Sequence, residues 1–276
     1  MTGAAGAVAL VRILVTAESR PPFDPSRIRA VAFDGYGTLF DYGMPEFRVD
    51  VAAELAHQGV EVDDFDAFFL TWQRSYRAGD VWDQSDRTEP GPRGWPTPNA
   101  LNGPLPDWHS QWEIWRRQFQ AAVDHHGLHS DAVGAADRFR AALSVAPAYP
   151  EAHDAVEGLA SRGYLLGLLS NADEDFLQSA LSRARLRFSV IQSSESLRAY
   201  KPHRAIYLAL AGRFGVEPGE ILYVGDSPFA DVAGAANAGL RTAWIRREET
   251  AFPEHIAPPD LTLTALTDLL DALPAL

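Results

Sequence analysis

Four short stretches of the 276-residue chain carry side chains able to attack a substrate, hold its charge or bind a cation. AFDGYGTLFD (residues 32–41) presents Asp34 after an apolar run. The glycines Gly35 and Gly37 leave room for tight turns and for a ligand to approach main-chain N–H groups. LLSN (168–171) ends in Ser170 and Asn171, and the plain reading of such a pair is an N-cap for a helix beginning near Asp173. YKP (200–202) sets Lys201 before a proline, where a solvated surface charge is the simple account. YVGDSPFAD (223–231) ends an apolar run in Asp226, with Asp231 about one helical turn later. Two carboxylates at a strand end are suited to a hard cation such as Mg²⁺.

The elements that must position these groups follow from periodicity. Ile28–Phe33 reads as a buried parallel strand ended by Asp34-Gly35. From about residue 150 helices and strands alternate. Helices are expected at 150–162, 173–184, 203–215, 229–238 and 264–272. The strands between them are Tyr164–Leu169, Phe188–Gln192, Ile221–Val224, Arg241–Ile245 and a short one near Leu261–Leu263. That order predicts an α/β fold, a doubly wound parallel sheet covered on both faces. Ligands bind such sheets at the carboxyl ends of the strands, where all four stretches fall. Residues 43–146 show helical spacing instead, at 46–58, 63–79, 108–124 and 131–143, and have no strand to add. They read as an all-helical cap domain inserted after the first strand. The core is then 28–42 with 147–276, and 1–27 is an extension with one short strand expected at Val11–Thr16.

Composition narrows the partners. With 24 basic and 37 acidic side chains the formal net charge is −13, which repels phosphate backbones and anionic lipid heads. Nucleic-acid and membrane roles are therefore not expected; the partner expected from the motifs is a small anionic substrate. Cysteine is absent, which removes disulfides, thiolate nucleophiles and Cys-ligated zinc. No run is long enough to cross a bilayer, and a cytoplasmic location is expected.

An aspartate, a serine, a lysine and an acidic pair, each at the end of a parallel strand and in this order, resemble the haloacid dehalogenase-like (HAD) hydrolase superfamily. The resemblance covers about residues 28–246, with the helical block in the place of a C1-type cap. It implies that Asp34 is a nucleophile forming a covalent aspartyl intermediate and that Ser170 holds the oxygens of the transferred or leaving group. Asn171 matches the asparagine of dehalogenase-like members, and Lys201 the lysine that neutralises nucleophile and substrate. Asp226 and Asp231 match the acidic pair of the last motif.

Two chemistries of that superfamily compete in these motifs. Its phosphatases carry Asp-x-Asp, whose second carboxyl protonates the leaving alkoxide; this chain has Tyr36 there. Asp-x-Tyr-Gly-Thr-Leu-Phe-Asp, YKPHRAIY (200–207) and RTAWI (241–245) look like the 2-haloacid dehalogenases, whose leaving halide needs no acid. Gly225-Asp226-Ser227 with Asp231 looks like the Mg²⁺-dependent phosphatases. An added carboxylate at Asp226 without a cation repels an anionic substrate, so the expected function is Mg²⁺-dependent hydrolysis of a small phosphate ester. The cation is expected between Asp34, the main-chain carbonyl of Tyr36 and Asp226. Tyr36 stands as a weak proton donor that favours leaving groups needing little protonation. The alternatives are a metal-independent 2-haloacid dehalogenase and a HAD-fold binding protein with impaired chemistry.

The helical block holds six of the seven tryptophans. Trp72, Trp108, Trp112 and Trp115 are expected to form its core, and Trp82 and Trp95 to belong to a lid. The segment 84–107, with six prolines and three glycines, is the candidate lid. His125, His126 and His129 read as helix-end charges. Arg74 and Arg77 read as solvated helix residues in a region where dehalogenases place a halide-gripping arginine.

Overall fold

A computed structural model describes residues 21–76, 99–105 and 107–276 of the chain. The strand expected at 11–16, Arg77, Trp82, Trp95 and most of the 84–107 segment lie outside the described residues.

Six strands form one parallel sheet: β1 (Ala30–Phe33), β2 (Leu165–Ser170), β3 (Val190–Ser193), β4 (Ile221–Gly225), β5 (Arg241–Ile245) and β6 (Leu261–Leu263). Their order is β3-β2-β1-β4-β5-β6, so β1 is central and the winding reverses between β1 and β4. In register, Phe33 pairs with Leu168 on one side and Val224 on the other, which brings the residues following β1 and β4 to the same edge.

Alternation along the strands sends side chains to two covered faces. Val31, Phe33, Leu222 and Val224 join one apolar cluster, together with α6 (Ala152–Ser161), α7 (Glu174–Ala184) and α11 (Asp268–Ala272). Ala30, Ala32, Ile221 and Tyr223 join the other, with α8 (Ser194–Leu197), α9 (Arg204–Phe214) and α10 (Gly234–Asn237). The helix expected at 229–238 opens as a wide turn over Pro228–Ala233 in which hydrogen bonds span five residues, and becomes α-helical only at α10.

Between β1 and β2 lie α1 (Met44–His57), α2 (Phe65–Arg74), a short α3 (Asn99–Asn102), α4 (Gln111–His125) and α5 (Ala132–Ser144). Asp64, Ser110 and Asp131 cap α2, α4 and α5 with their side chains. The apolar interior of this block is continuous with the first sheet face, since Phe176 of α7 lies 5.5 Å from Trp115 and 5.8 Å from Tyr36, ring centre to ring centre. Two of the four tryptophans expected in its core are buried, Trp72 and Trp115. Trp112 is only partly buried and donates its indole N–H to Asp137, and the Trp108 ring lies against Arg198. The residues entering and leaving the block pair with each other: Phe40 bridges Ala148, the Asp41 amide donates to the Pro147 carbonyl at 2.8 Å, and the Tyr149 amide to that of Leu39 at 2.9 Å. Among the described residues no helix is long and apolar enough to cross a membrane.

Candidate active site

Asp34, the first residue past β1, is 6% exposed, and its amide donates to the Val224 carbonyl at 2.8 Å, the next step of the β1–β4 ladder. Lys201 reaches it from the loop before α9. The ammonium donates to Asp34 Oδ1 at 2.6 Å, to Asp231 Oδ1 at 2.6 Å and to the Tyr223 hydroxyl at 3.2 Å. Asp231 also accepts the Ser227 amide at 2.9 Å, so it anchors both the lysine and the loop after β4. Asn171 grips the lysine's backbone: its Oδ1 accepts the Lys201 amide at 2.8 Å and its Nδ2 donates to the Lys201 carbonyl at 3.2 Å. The pair at 170–171 is therefore not a helix cap. Asn171 spans two loops, and Ser170 ends β2, 2% exposed, against Gly35, where a Cβ would fall 2.9 Å from the serine Oγ.

Asp226 follows β4 and faces the loop after Asp34. A Cβ at Gly37 would lie 2.6 Å from its Oδ2, and Gly37 has φ +85°, so space and backbone both require glycine there. Trp244 fixes the aspartate's main chain, donating its indole N–H to the Asp226 carbonyl at 2.8 Å. Ligand atoms of Asp34, Asp226 and Asp231 all lie within 4.8 Å of one another.

One ammonium thus bonds two of the three clustered carboxylates. Burial pushes the Asp34 carboxyl up to about 6, the Asp231 charge adds to this, and Lys201 opposes it. Burial raises Asp226 well above the usual carboxylate range, and the charges of Asp231 and Asp34 raise it further. For Lys201 burial disfavours the charge, but Asp231 and Asp34 outweigh it and hold the ammonium protonated. The negative excess and the all-oxygen donor set fit a hard cation.

Tyr36 is placed differently from expectation. Its hydroxyl donates to the Leu143 carbonyl at 3.2 Å and the Phe176 carbonyl at 3.4 Å, tying the end of α5 to α7. Burial, then the Asp34 charge, hold its proton on more tightly than in a free phenol. The ring packs at a tilt against Phe40 and Phe176. The proton donation expected of Tyr36 finds no support in this geometry.

Other residues carry weight that their spacing did not announce. Asp173, read as the start of a helix, makes no side-chain cap there; its two oxygens accept the Gln111 and Trp112 amides at 2.7 and 3.0 Å, so a core loop caps α4 of the helical block. Tyr223 accepts from Lys201 and donates to the Leu169 carbonyl at 2.8 Å; a lone tyrosine in an aliphatic strand needs such partners, and that was the available signal. Tyr200 donates to the His109 carbonyl at 2.6 Å, a second tie between the two layers. His126 takes part in a 3.1 Å contact with Thr71 and packs on Phe68, and no metal-ligating cluster forms around it among the described residues.

A sequence profile of the haloacid dehalogenase-like hydrolases matches residues 28–239. The chain belongs to that family. Along nearly its whole length it is similar to (S)-2-haloacid dehalogenase 4A of Burkholderia cepacia, 27% identical over 250 residues, 88% of this chain and 93% of that one. A crystal structure of a dehalogenase with an intermediate complex matches with a TM-score of 0.66 at 26% identity, covering 90% of this chain and 98% of the other. The phosphoserine phosphatase of Thermus thermophilus is 36% identical over 126 residues, but this spans 45% of the chain and 50% of that enzyme. These relatives do not support ranking phosphatase chemistry above dehalogenation, the order expected from Asp226.

Proposed function

We propose that this hydrolase uses Asp34 to displace a leaving group that departs without a proton, and that its substrates are small 2-haloacids. The observation that carries this reading is the hydrogen bonding of the Tyr36 hydroxyl. With its hydroxyl committed to the Leu143 and Phe176 carbonyls, no acid stands two residues after the nucleophile to protonate an alkoxide. Halide leaves as a stable anion and needs none. The dehalogenase relatives matched along most of the chain support the same chemistry.

In this reading an Asp34 oxygen attacks the carbon bearing the halogen, the carbon–halogen bond breaks, and the halide takes the bonding pair. Lys201 steadies the Asp34 carboxylate at 2.6 Å and meets the charge of the incoming acid. Water then attacks the carboxyl carbon of the aspartyl ester, which releases a 2-hydroxy acid and restores Asp34. In this reading Ser170, at the end of the neighbouring strand, holds substrate oxygens. Asn171 and Asp231 act through Lys201, fixing its backbone and its ammonium.

A second reading rests on a different observation, the cluster of three carboxylates. It is Mg²⁺-dependent hydrolysis of phosphate esters, restricted to weakly basic leaving groups such as phenols or acids. Asp34, Asp226 and the Tyr36 main-chain carbonyl would hold the cation, whose charge would offset repulsion between carboxylate and phosphate. One panel separates the two: 2-haloacids, aryl phosphates and alkyl phosphates, each with Mg²⁺ and with EDTA. The proposal expects halide release that survives EDTA. Phosphate release that requires Mg²⁺, with no halide release, overturns it in favour of the second reading. Silence throughout points to a binding protein.

A further inference from the structure

The helical block is carried on two segments, 37–42 leaving the core and 147–151 returning, which pair as described above. Arg247, two residues past β5, meets both. Its Nη2 donates to the Thr38 carbonyl at 2.6 Å and its Nε approaches the Gly37 carbonyl at 3.4 Å. On the returning side Nη1 donates to Glu151 at 2.6 Å, and the guanidinium lies 3.5 Å from the centre of the Tyr149 ring. A guanidinium suits this place because its planar fork of donors bonds in several directions while its face stacks on an aromatic ring. The segment it holds is the one whose position matters at the site. Gly37 packs directly on Asp226, and the loop begins at the residue after Asp34. Within that loop the Leu39 and Phe40 amides donate to the Gly35 carbonyl at 2.7 and 2.9 Å, which ties its two ends together.

We propose that Arg247 is a positioning residue: it fixes the loop after Asp34 against Asp226 and fastens to the core the two segments that carry the helical block. Its effect on turnover rests on Asp34 being the nucleophile; its effect on the loop does not. Reacting groups misplaced by about 1 Å lose on the order of 10²-fold in rate, whereas substrate binding need not change. Arg247→Met removes the donors. Arg247→Lys keeps the charge and part of the stem but offers no fork. Glu151→Gln keeps Arg247 but removes the negative charge that its guanidinium meets.

The test measures amide exchange by mass spectrometry together with steady-state kinetics on whichever member of the substrate panel the native enzyme turns over. Arg247→Met is expected to speed exchange in peptides covering residues 35–41 by about tenfold or more, with β2 and β3 peptides unchanged. Its kcat should fall about 10–100-fold with KM within about threefold. Arg247→Lys should restore part of both, and Glu151→Gln should move both in the same direction by less. Unchanged protection of 35–41 in a folded Arg247→Met protein overturns the proposal, as does lost protection with native kcat. If Arg247→Met does not fold, native exchange and native kcat in Arg247→Lys overturn it equally. If the native protein turns over nothing in the panel, the functional reading has failed, and the exchange arm alone decides the role of Arg247.

Discussion

At the carboxyl edge of the sheet, buried Asp34, Lys201 and Asp231 crowd together with half-buried Asp226. Facing it, the interior of the helical block is a nest of rings. Phe139 lies 5.5 Å from Phe47, 5.7 Å from Trp72 and 5.9 Å from Trp115. The first region holds charge in a low dielectric that alone would disperse it, and it stays together only because strand register and hydrogen bonds leave the groups no alternative. The second gains stability from every contact it makes. Chemistry is thus concentrated where the fold is under electrostatic load, and the region that gives the block its shape contains none of the candidate reactive groups. Two kinds of substitution should separate these regions cleanly.

The largest effect is expected at the sheet edge and should cost the fold nothing. Asp34→Asn is nearly isosteric and relieves carboxylate repulsion, yet turnover should fall about 10⁴-fold or more, as when other covalent nucleophiles are removed. Native circular dichroism with substantial residual activity would erase the distinction between the two regions. Lys201→Met should harm both activity and stability. It strands Asp34 and Asp231 as buried carboxylates without their shared donor, a change that costs about 3–5 kcal/mol in denaturant titrations. Phe139→Ala should cost a similar amount, about 3–5 kcal/mol, through a cavity instead of a charge, and its loss should not depend on pH.

Acidity offers a finer contrast. Asp34 attacks only as a carboxylate, and burial raises its pKa to about 6. Because the folded value lies above that of a free aspartate, kcat/KM should be level above this pH and fall through it, tenfold per unit. An acid limb near 4 in the pH–rate profile would show that the edge is not under the load described. The smallest effect belongs to Tyr36→Phe. Two long hydrogen bonds are lost, worth about 1 kcal/mol. Turnover should stay within about threefold, far from the about 10²–10⁴-fold loss that follows removal of a general acid.

The same contrast explains what the sequence disclosed. Short aliphatic runs ending in Asp34, Ser170 and Asp226 identify buried parallel strands and the edge to which they deliver polar groups, because a continuous apolar run and a strand-ending turn are local properties. Lys201 is legible once the strand order is known. The direction of Tyr36 is not, since it depends on Leu143 and Phe176, more than a hundred residues away along the chain. The same holds for Asp173, whose partners at 111–112 lie in another layer, and for Arg247, whose partners belong to four separate positions. Trp108 and Trp112 keep helical spacing with Trp115 and Phe119 but reach the margin of the block, because a stripe says which way a residue faces and not how deep it lies.

The central claim is that Asp34 forms an ester with carbon and that water reopens it at the aspartate carboxyl. A single turnover in ¹⁸O-water, with enzyme in excess over a 2-haloacid, tests this most directly. The account predicts that mass spectrometry of the peptide containing Asp34 finds the heavy oxygen in its carboxylate and none in the released hydroxy acid. Label in the hydroxy acid, with an unlabelled Asp34 peptide, would mean that water attacks the substrate itself and would contradict it.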